Sequence, residues 1–161
     1  MIYIYNAGPL FSEADQKQRK LEGSLLREAG AGQDDYFVAN PIDLPLDQTK
    51  PLTSQTIFDV DNRHIQKANV FFFELATGDT GTMVELGMAI QRLIDGEKIE
   101  IYPIFSDLRL VRNQASGIEC PVGFNSFVTG SLLYHRIPIY PDFDSALQAF
   151  KRSLAASVNY G

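Results

Sequence analysis

Apolar and polar positions along this chain switch between two spacings. Short β-branched and aromatic runs occur at residues 2–5, 36–39, 69–75, 98–105 and 136–140. Bounded by turn residues, such runs predict buried strands. Between them lie longer segments with apolar residues three and four positions apart, the spacing of a helix with one buried face. They predict helices from Ser12 to about Ala29, from about Thr53 to Lys67, over about 82–95, over 124–133, and from Asp142 or Asp144 onward.

The helix boundaries carry their own signals. Ser12-Glu-Ala-Asp15 reads as a capping box, and Gly30 or Gly32 stops the helix behind it. Ala14, Gln18, Leu21 and Leu25 give that helix its expected core stripe. In the next helix the stripe is Ile57, Val60, His64, Ile65 and Ala68. Asp61 is four residues from both Ile57 and Ile65, so it falls on the same inward face, whereas Asp59 points to solvent. In the last helix the stripe is Phe143, Leu147, Phe150 and Leu154. Two loops are long: 40–54, with Pro41, Pro45 and Pro51, and 106–122, with Arg109, Arg112 and Asn113. Strands alternating with helices predict an α/β fold. The expectation is a doubly wound, mostly parallel five-stranded sheet with helices on both faces, flavodoxin- or Rossmann-like, in a single domain spanning 1–161. Ligands in such sheets bind at the carboxyl ends of the strands.

Residues 79–87, Asp-Thr-Gly-Thr-Met-Val-Glu-Leu-Gly, form the turn from the third strand into the third helix. Glu85 is surrounded in sequence by Met83, Val84, Leu86, Met88 and Ala89. A carboxylate in such a setting is costly unless something pairs with it. Gly87 sits inside the helix, where glycine costs about 1 kcal/mol relative to alanine, which suggests the close approach of a ligand or another element. Asp79 is equally well explained as an N-cap. Asp79, Asp61 and Glu85 thus gather at one edge of the expected sheet, near Tyr5 at the end of the first strand. Carboxylates around one cleft suit glycosidic-bond chemistry: one attacks or stabilises the anomeric carbon and another handles the leaving group's proton. Tyr5 can donate a hydrogen bond that keeps Glu85 ionised.

Composition narrows the partners. The chain has 161 residues, net charge −6 and one cysteine, Cys120. Scattered basic residues and the acidic balance argue against nucleic acid or an anionic membrane. The densest basic group, Lys17, Arg19 and Lys20, reads as a solvated helix face. One cysteine excludes an intrachain disulfide or thiolate cluster, and His64 and His135 form no metal pair, so no metal is expected. His64 reads as a satisfied histidine at the core edge, and Phe71, Phe72 and Phe73 as core. No apolar run approaches the roughly 20 residues of a membrane span. No basic leader precedes the first strand, so a cytoplasmic protein is expected. Dinucleotide and P-loop fingerprints are missing.

Three segments in order carry a family resemblance: Tyr5-Asn-Ala-Gly-Pro-Leu-Phe11, then Asp61, then Asp79-Thr-Gly-Thr-Met-Val-Glu85-Leu-Gly87. Together, over about residues 2–105, the chain resembles the nucleoside 2-deoxyribosyltransferases. The resemblance implies transfer of 2-deoxyribose between nucleobases through a covalent deoxyribosyl-enzyme, with no metal or organic cofactor. Glu85 would be the nucleophile and Tyr5 its holder. Asp61 and Asp79 would contact base and sugar, one of them shuttling a proton. Ala7, Gly8 and Gly81 would line the substrate site. Asn125 would bind the sugar 5′-hydroxyl of a neighbouring subunit, which implies a homo-oligomer, dimer or higher. The partners implied are a deoxynucleoside and a free nucleobase. In the family a terminal carboxylate enters the site behind an aromatic residue; here Tyr160 is followed by Gly161. Related N-glycoside hydrolases place Ser and Arg in the first turn for a 5′-phosphate. Residues 6–11 have neither, which favours a nucleoside, while Ser12, Arg109 and Arg112 keep a nucleotide hydrolase open. A non-catalytic nucleoside or nucleotide sensor on the same fold is the alternative of another class.

Overall fold

The structure is a computed structural model and describes residues 1–45, 49, 51–108 and 124–158. Among them, four strands form one parallel sheet: β1 (Ile2–Ala7), β2 (Tyr36–Ala39), β3 (Val70–Glu74) and β4 (Glu100–Ile104), in the order β2-β1-β3-β4. Five α-helices accompany them: α1 (Glu13–Ala29), α2 (Ser54–Lys67), α3 (Thr80–Ile94), α4 (Ser126–Tyr134) and α5 (Phe143–Val158). The chain leaves β1 toward β2 and returns past it to β3. The β1–β3 boundary is therefore the topological switch point, where crossover loops diverge and leave a crevice.

Strand side chains alternate between two cores, as the two-residue period requires. Tyr3, Tyr5, Phe71, Phe73 and Ile101 pack with Ile65 of α2, Leu86, Ala89 and Ile90 of α3, and Leu132 of α4. Ile4, Phe72, Tyr102 and Ile104 pack on the other face with Leu26 of α1 and Phe143, Leu147 and Phe150 of α5. Phe71, Phe72 and Phe73 are wholly buried; each such ring contributes about 1.5–3 kcal/mol by burial.

The caps follow the sequence. Ser12 and Asp15 form the complete capping box of α1, Thr53 caps α2, and Asp142 Oδ1 accepts from the Ser145 amide at the start of α5. Asp79 is the N-cap of α3, which begins at Thr80, two residues earlier than expected.

The structure departs from the sequence expectations in three places. Residues 136–140 are not a fifth strand; they make a single parallel bridge, Ile104 to Tyr140. Pro138 and Pro141 flank that bridge, and a residue without an amide hydrogen cannot extend a ladder. Helix α1 is rotated from its expected stripe: Leu21 is exposed, and Arg19, Glu22, Gly23 and Leu26 are buried. Ile57, placed on the inner stripe of α2, is also exposed, while Ile65 and Ala68 are buried.

Candidate active site

Tyr5 ends its side chain on the α2–α3 face of the sheet, near the carboxyl end of β1. Its ring is wholly buried and meets Phe71 edge-on, with centroids 6.5 Å apart. This packing fixes the hydroxyl, which donates to Glu85 Oε1 at 2.7 Å. Burial, with the negative charges of Glu85 and Asp61 behind it, drives the phenol far above its usual range, so it remains a donor.

Glu85 lies in the second turn of α3. Burial pushes its carboxyl up to about 7; the Tyr5 hydrogen bond opposes the shift, and the charges of Asp61 and Asp79 add to it. Among the described residues, no cation is among the groups acting on it. The expectation of an inward Asp61 is met: this α2 carboxyl is half-buried, is raised by burial alone, and bears electrostatically on both Tyr5 and Glu85. Asp79 is buried, and Thr82 holds both of its oxygens: the Thr82 amide donates to Oδ1 at 3.2 Å and the hydroxyl to Oδ2 at 2.6 Å. Its N-cap role is thus real, and it also reaches Tyr5 and Glu85 by charge. Three elements that meet at the switch point bring Tyr5, Asp61, Asp79 and Glu85 into one electrostatic group.

The glycines divide differently. Gly8 has no room for a side chain: a Cβ would lie 2.1 Å from Arg19 Nη1 and 2.8 Å from Glu74 Cβ. Ala7 is buried, and its carbonyl faces Arg19 Nη1 at 3.5 Å. Gly81 is exposed in the first turn of α3, where a Cβ would stand 3.4 Å from Asp79 Oδ1. Among the described residues Gly87 marks no close approach, because a Cβ there would meet nothing within 4 Å. Asn125 is exposed, and its side-chain oxygen accepts from the Phe127 amide as the N-cap of α4. Arg109, Arg112, Asn113, Cys120, Tyr160 and Gly161 lie outside the described residues. His64 is the satisfied core-edge histidine expected, 2.6 Å from the Tyr3 hydroxyl.

The basic face assigned to α1 needs correction. Lys17 and Lys20 are exposed, but Arg19 is 3 % exposed and donates to Glu22 Oε1 at 2.8 Å. Glu22 also accepts from Gln18 and from Asn6, and Asn6 donates on to Asn40. Glu74, at the end of β3, accepts from the Ser106 hydroxyl at 2.6 Å. Burial raises both Glu22 and Glu74, with Arg19 opposing. Arg19 and Glu74 line a cleft of about 720 Å3 on the α1–α5 side of the sheet, opposite the Tyr5 face. This cluster escaped the sequence reading because hydropathy places charged residues outside. The only trace was Arg19 and Glu22 three residues apart, the spacing of neighbours on one helix face.

Among the described residues no helix is long and apolar enough to cross a membrane, and no cluster of three or more His, Cys, Asp or Glu residues has metal-site geometry.

The fold recurs among known proteins. Solved structures with a similar fold include a conserved protein from Enterococcus faecalis V583 (TM-score 0.70, 20 % identity, 95 % of this chain and 99 % of that one). They also include a 2-desoxiribosyltransferase from Leishmania mexicana (TM-score 0.56, 18 % identity, 94 % and 98 %). The CMP N-glycosidase BcmB of Clostridium botulinum is similar too (TM-score 0.55, 15 % identity, 93 % and 98 %). At the sequence level, "Uncharacterized protein UU063" of Ureaplasma parvum serovar 3 is 27 % identical over 141 residues, spanning 83 % of this chain and 85 % of that protein. The family model for nucleoside 2-deoxyribosyltransferase matches residues 4–102, from β1 into β4 and across Tyr5, Asp61, Asp79 and Glu85. With more than half of its length matched, the chain belongs to the nucleoside 2-deoxyribosyltransferase family.

Proposed function

We propose that this protein transfers 2-deoxyribose from a deoxynucleoside to a free nucleobase through a deoxyribosyl ester of Glu85. The observation that carries this reading is the Tyr5–Glu85 pair: a largely covered carboxylate with, among the described residues, one donor, no cation, and two further carboxylates beside it. Glu85 attacks C1′, the N-glycosidic bond breaks, and its electron pair goes to the base nitrogen. Asp61 supplies that nitrogen's proton. It suits the task better than Asp79, because burial raises Asp61 and no hydrogen bond opposes the shift, whereas Thr82 holds both Asp79 oxygens. Asp79 binds substrate as a fixed acceptor. A second base then attacks C1′, Glu85 leaves as carboxylate, and the incoming base returns a proton to Asp61. The scheme uses no metal or organic cofactor.

An unphosphorylated nucleoside is the substrate that fits. Ser12, the hydroxyl nearest the first turn, is held by Asp15, and Arg19 is buried against Glu22. Among the described residues, three carboxylates at the site would repel a 5′-phosphate. We further propose a homo-oligomer in which Asn125 serves a neighbouring subunit's site. The exposure of Asn125, and of Phe127 (86 %) and Tyr134 (83 %) on α4, supports this. Gel filtration of Phe127→Asp against the parent chain tests it, and an unchanged elution volume would count against this interface.

The experiment for the activity is incubation with a deoxynucleoside and a second free base, followed by mass spectrometry of the protein. Transfer predicts a new nucleoside and a deoxyribosyl adduct that Glu85→Gln abolishes. Release of base without a new nucleoside points to a hydrolase instead. No adduct and no product would leave a sensor.

A further inference from the structure

We propose that Thr82 is a positioning residue for the deoxyribosyl chemistry, acting through Asp79. The inference rests on the reading that Asp79 contacts substrate. Capping α3 requires only one Asp79 oxygen, which the Thr82 amide reaches at Oδ1. The hydroxyl contact to Oδ2 at 2.6 Å is additional, and it is the shorter of the two. Two donors from one buried residue fix the rotation of the carboxylate as well as its place. One donor would leave it free to turn about its side-chain bonds.

Asp79 is itself 6 % exposed, so little of its surface can meet a ligand. Gly81 bears on the part that remains. It is exposed, and a Cβ there would stand 3.4 Å from Oδ1. Thr82 thus clamps the carboxylate from within the helix, and Gly81 leaves one side uncovered. A charge-assisted hydrogen bond held ready in this way costs no reorganisation when substrate arrives. The hydroxyl is also a group that valine can replace without changing side-chain shape or the capping amide.

The test compares Thr82→Val and Thr82→Ser with the parent in steady-state transfer and in the stoichiometry of the deoxyribosyl adduct. Positioning predicts that Thr82→Val raises KM for the deoxynucleoside and lowers kcat/KM by about 10- to 100-fold. Adduct stoichiometry at saturating substrate stays at the parent value, and Thr82→Ser restores most of the loss. In an Asp79→Asn background, Thr82→Val has little further effect, because the group it orients is already impaired. A structural role alone predicts the opposite pattern: adduct stoichiometry and kcat fall together, KM holds, and the double variant loses activity additively. That pattern, or parent kinetics in Thr82→Val, overturns the proposal. Should Thr82→Val not fold, an additive loss for Thr82→Ala with Asp79→Asn overturns it equally. Failure of the parent to form product or adduct would instead refute the activity itself, before any Thr82 variant is measured.

Discussion

Two groups of buried and half-buried carboxylates stand on opposite faces of the same sheet, and they are treated differently. On the α1–α5 face, Glu22 accepts from Arg19, Gln18 and Asn6, and its oxygens are all engaged. On the α2–α3 face, Glu85 accepts, among the described residues, from Tyr5 alone and sits beside Asp61 and Asp79. Burying a charge is tolerated when a partner of opposite sign and further donors replace water. Glu22 has them, and its cluster ties α1 to the ends of β1 and β2. Among the described residues Glu85 has a single neutral donor, and like charges make its ionisation harder. Fold stability alone does not account for that arrangement. The nucleophile role proposed for Glu85 would account for it, since a poorly solvated carboxylate is more reactive than a hydrated one.

The sharpest way to break the contrast is Glu85→Gln. Transfer is expected to fall on the order of 10^4-fold, since the covalent step is lost. The same variant reports on stability. The raised carboxyl means the folded state holds its proton up to about pH 7, while the unfolded chain releases it near 4.5. That contribution is complete below 4.5 and is lost as pH rises through 7. Thermal melts of Glu85→Gln and the parent are thus expected to agree near pH 4.5. They should separate by about 3 kcal/mol in favour of the variant at pH 8. An identical offset at both pH values would contradict the burial argument.

The opposite face makes the opposite prediction. Arg19→Met leaves Glu22 buried without its cation and is expected to cost about 3–5 kcal/mol in urea unfolding. A loss under 1 kcal/mol would mean that the cluster is not needed for stability.

Tyr5→Phe is expected to act at the boundary between the two cases. It removes the one donor to Glu85 among the described residues, so kcat/KM should fall about 10- to 100-fold. The Tyr5 bond opposes the rise in the Glu85 pKa, so the limb of the pH profile on which Glu85 ionises should move to higher pH. A drop in rate with an unmoved limb would separate orientation from ionisation.

The smallest effect belongs to Gly87→Ala, two residues from Glu85. Its Cβ meets nothing among the described residues, so about 0.5–1 kcal/mol of stabilisation is expected with activity intact. A loss of stability would show that another surface packs there.

Much of this molecule was determined by the sequence alone. Strand runs, helix spans and the caps at Ser12 and Asp79 are local, and local rules placed them, whereas the core-facing stripes of α1 and α2 were misplaced at Leu21 and Ile57. Glu85 was also legible, because a carboxylate amid apolar residues is conspicuous wherever it folds, while Asp61 was singled out by its helix stripe, Asp79 by the turn before α3, and Tyr5 by its strand end and the family resemblance. The fifth strand failed for an equally local reason, since Pro138 and Pro141 limit it to one bridge. Only tertiary structure could decide which charges face inward with partners. Arg19 looked like one of three surface cations, and no periodicity announces that Glu22, Asn6 and Glu74 will surround it. Likewise, sequence gave Asp61 and Asp79 similar standing. Their difference lies in Thr82, whose amide and hydroxyl occupy one Asp79 oxygen each, and this is the ground on which the proton transfer is proposed for Asp61. Hydropathy records the cost of burying each residue by itself, but the partners that offset that cost come from distant parts of the chain and exist only once the chain has folded.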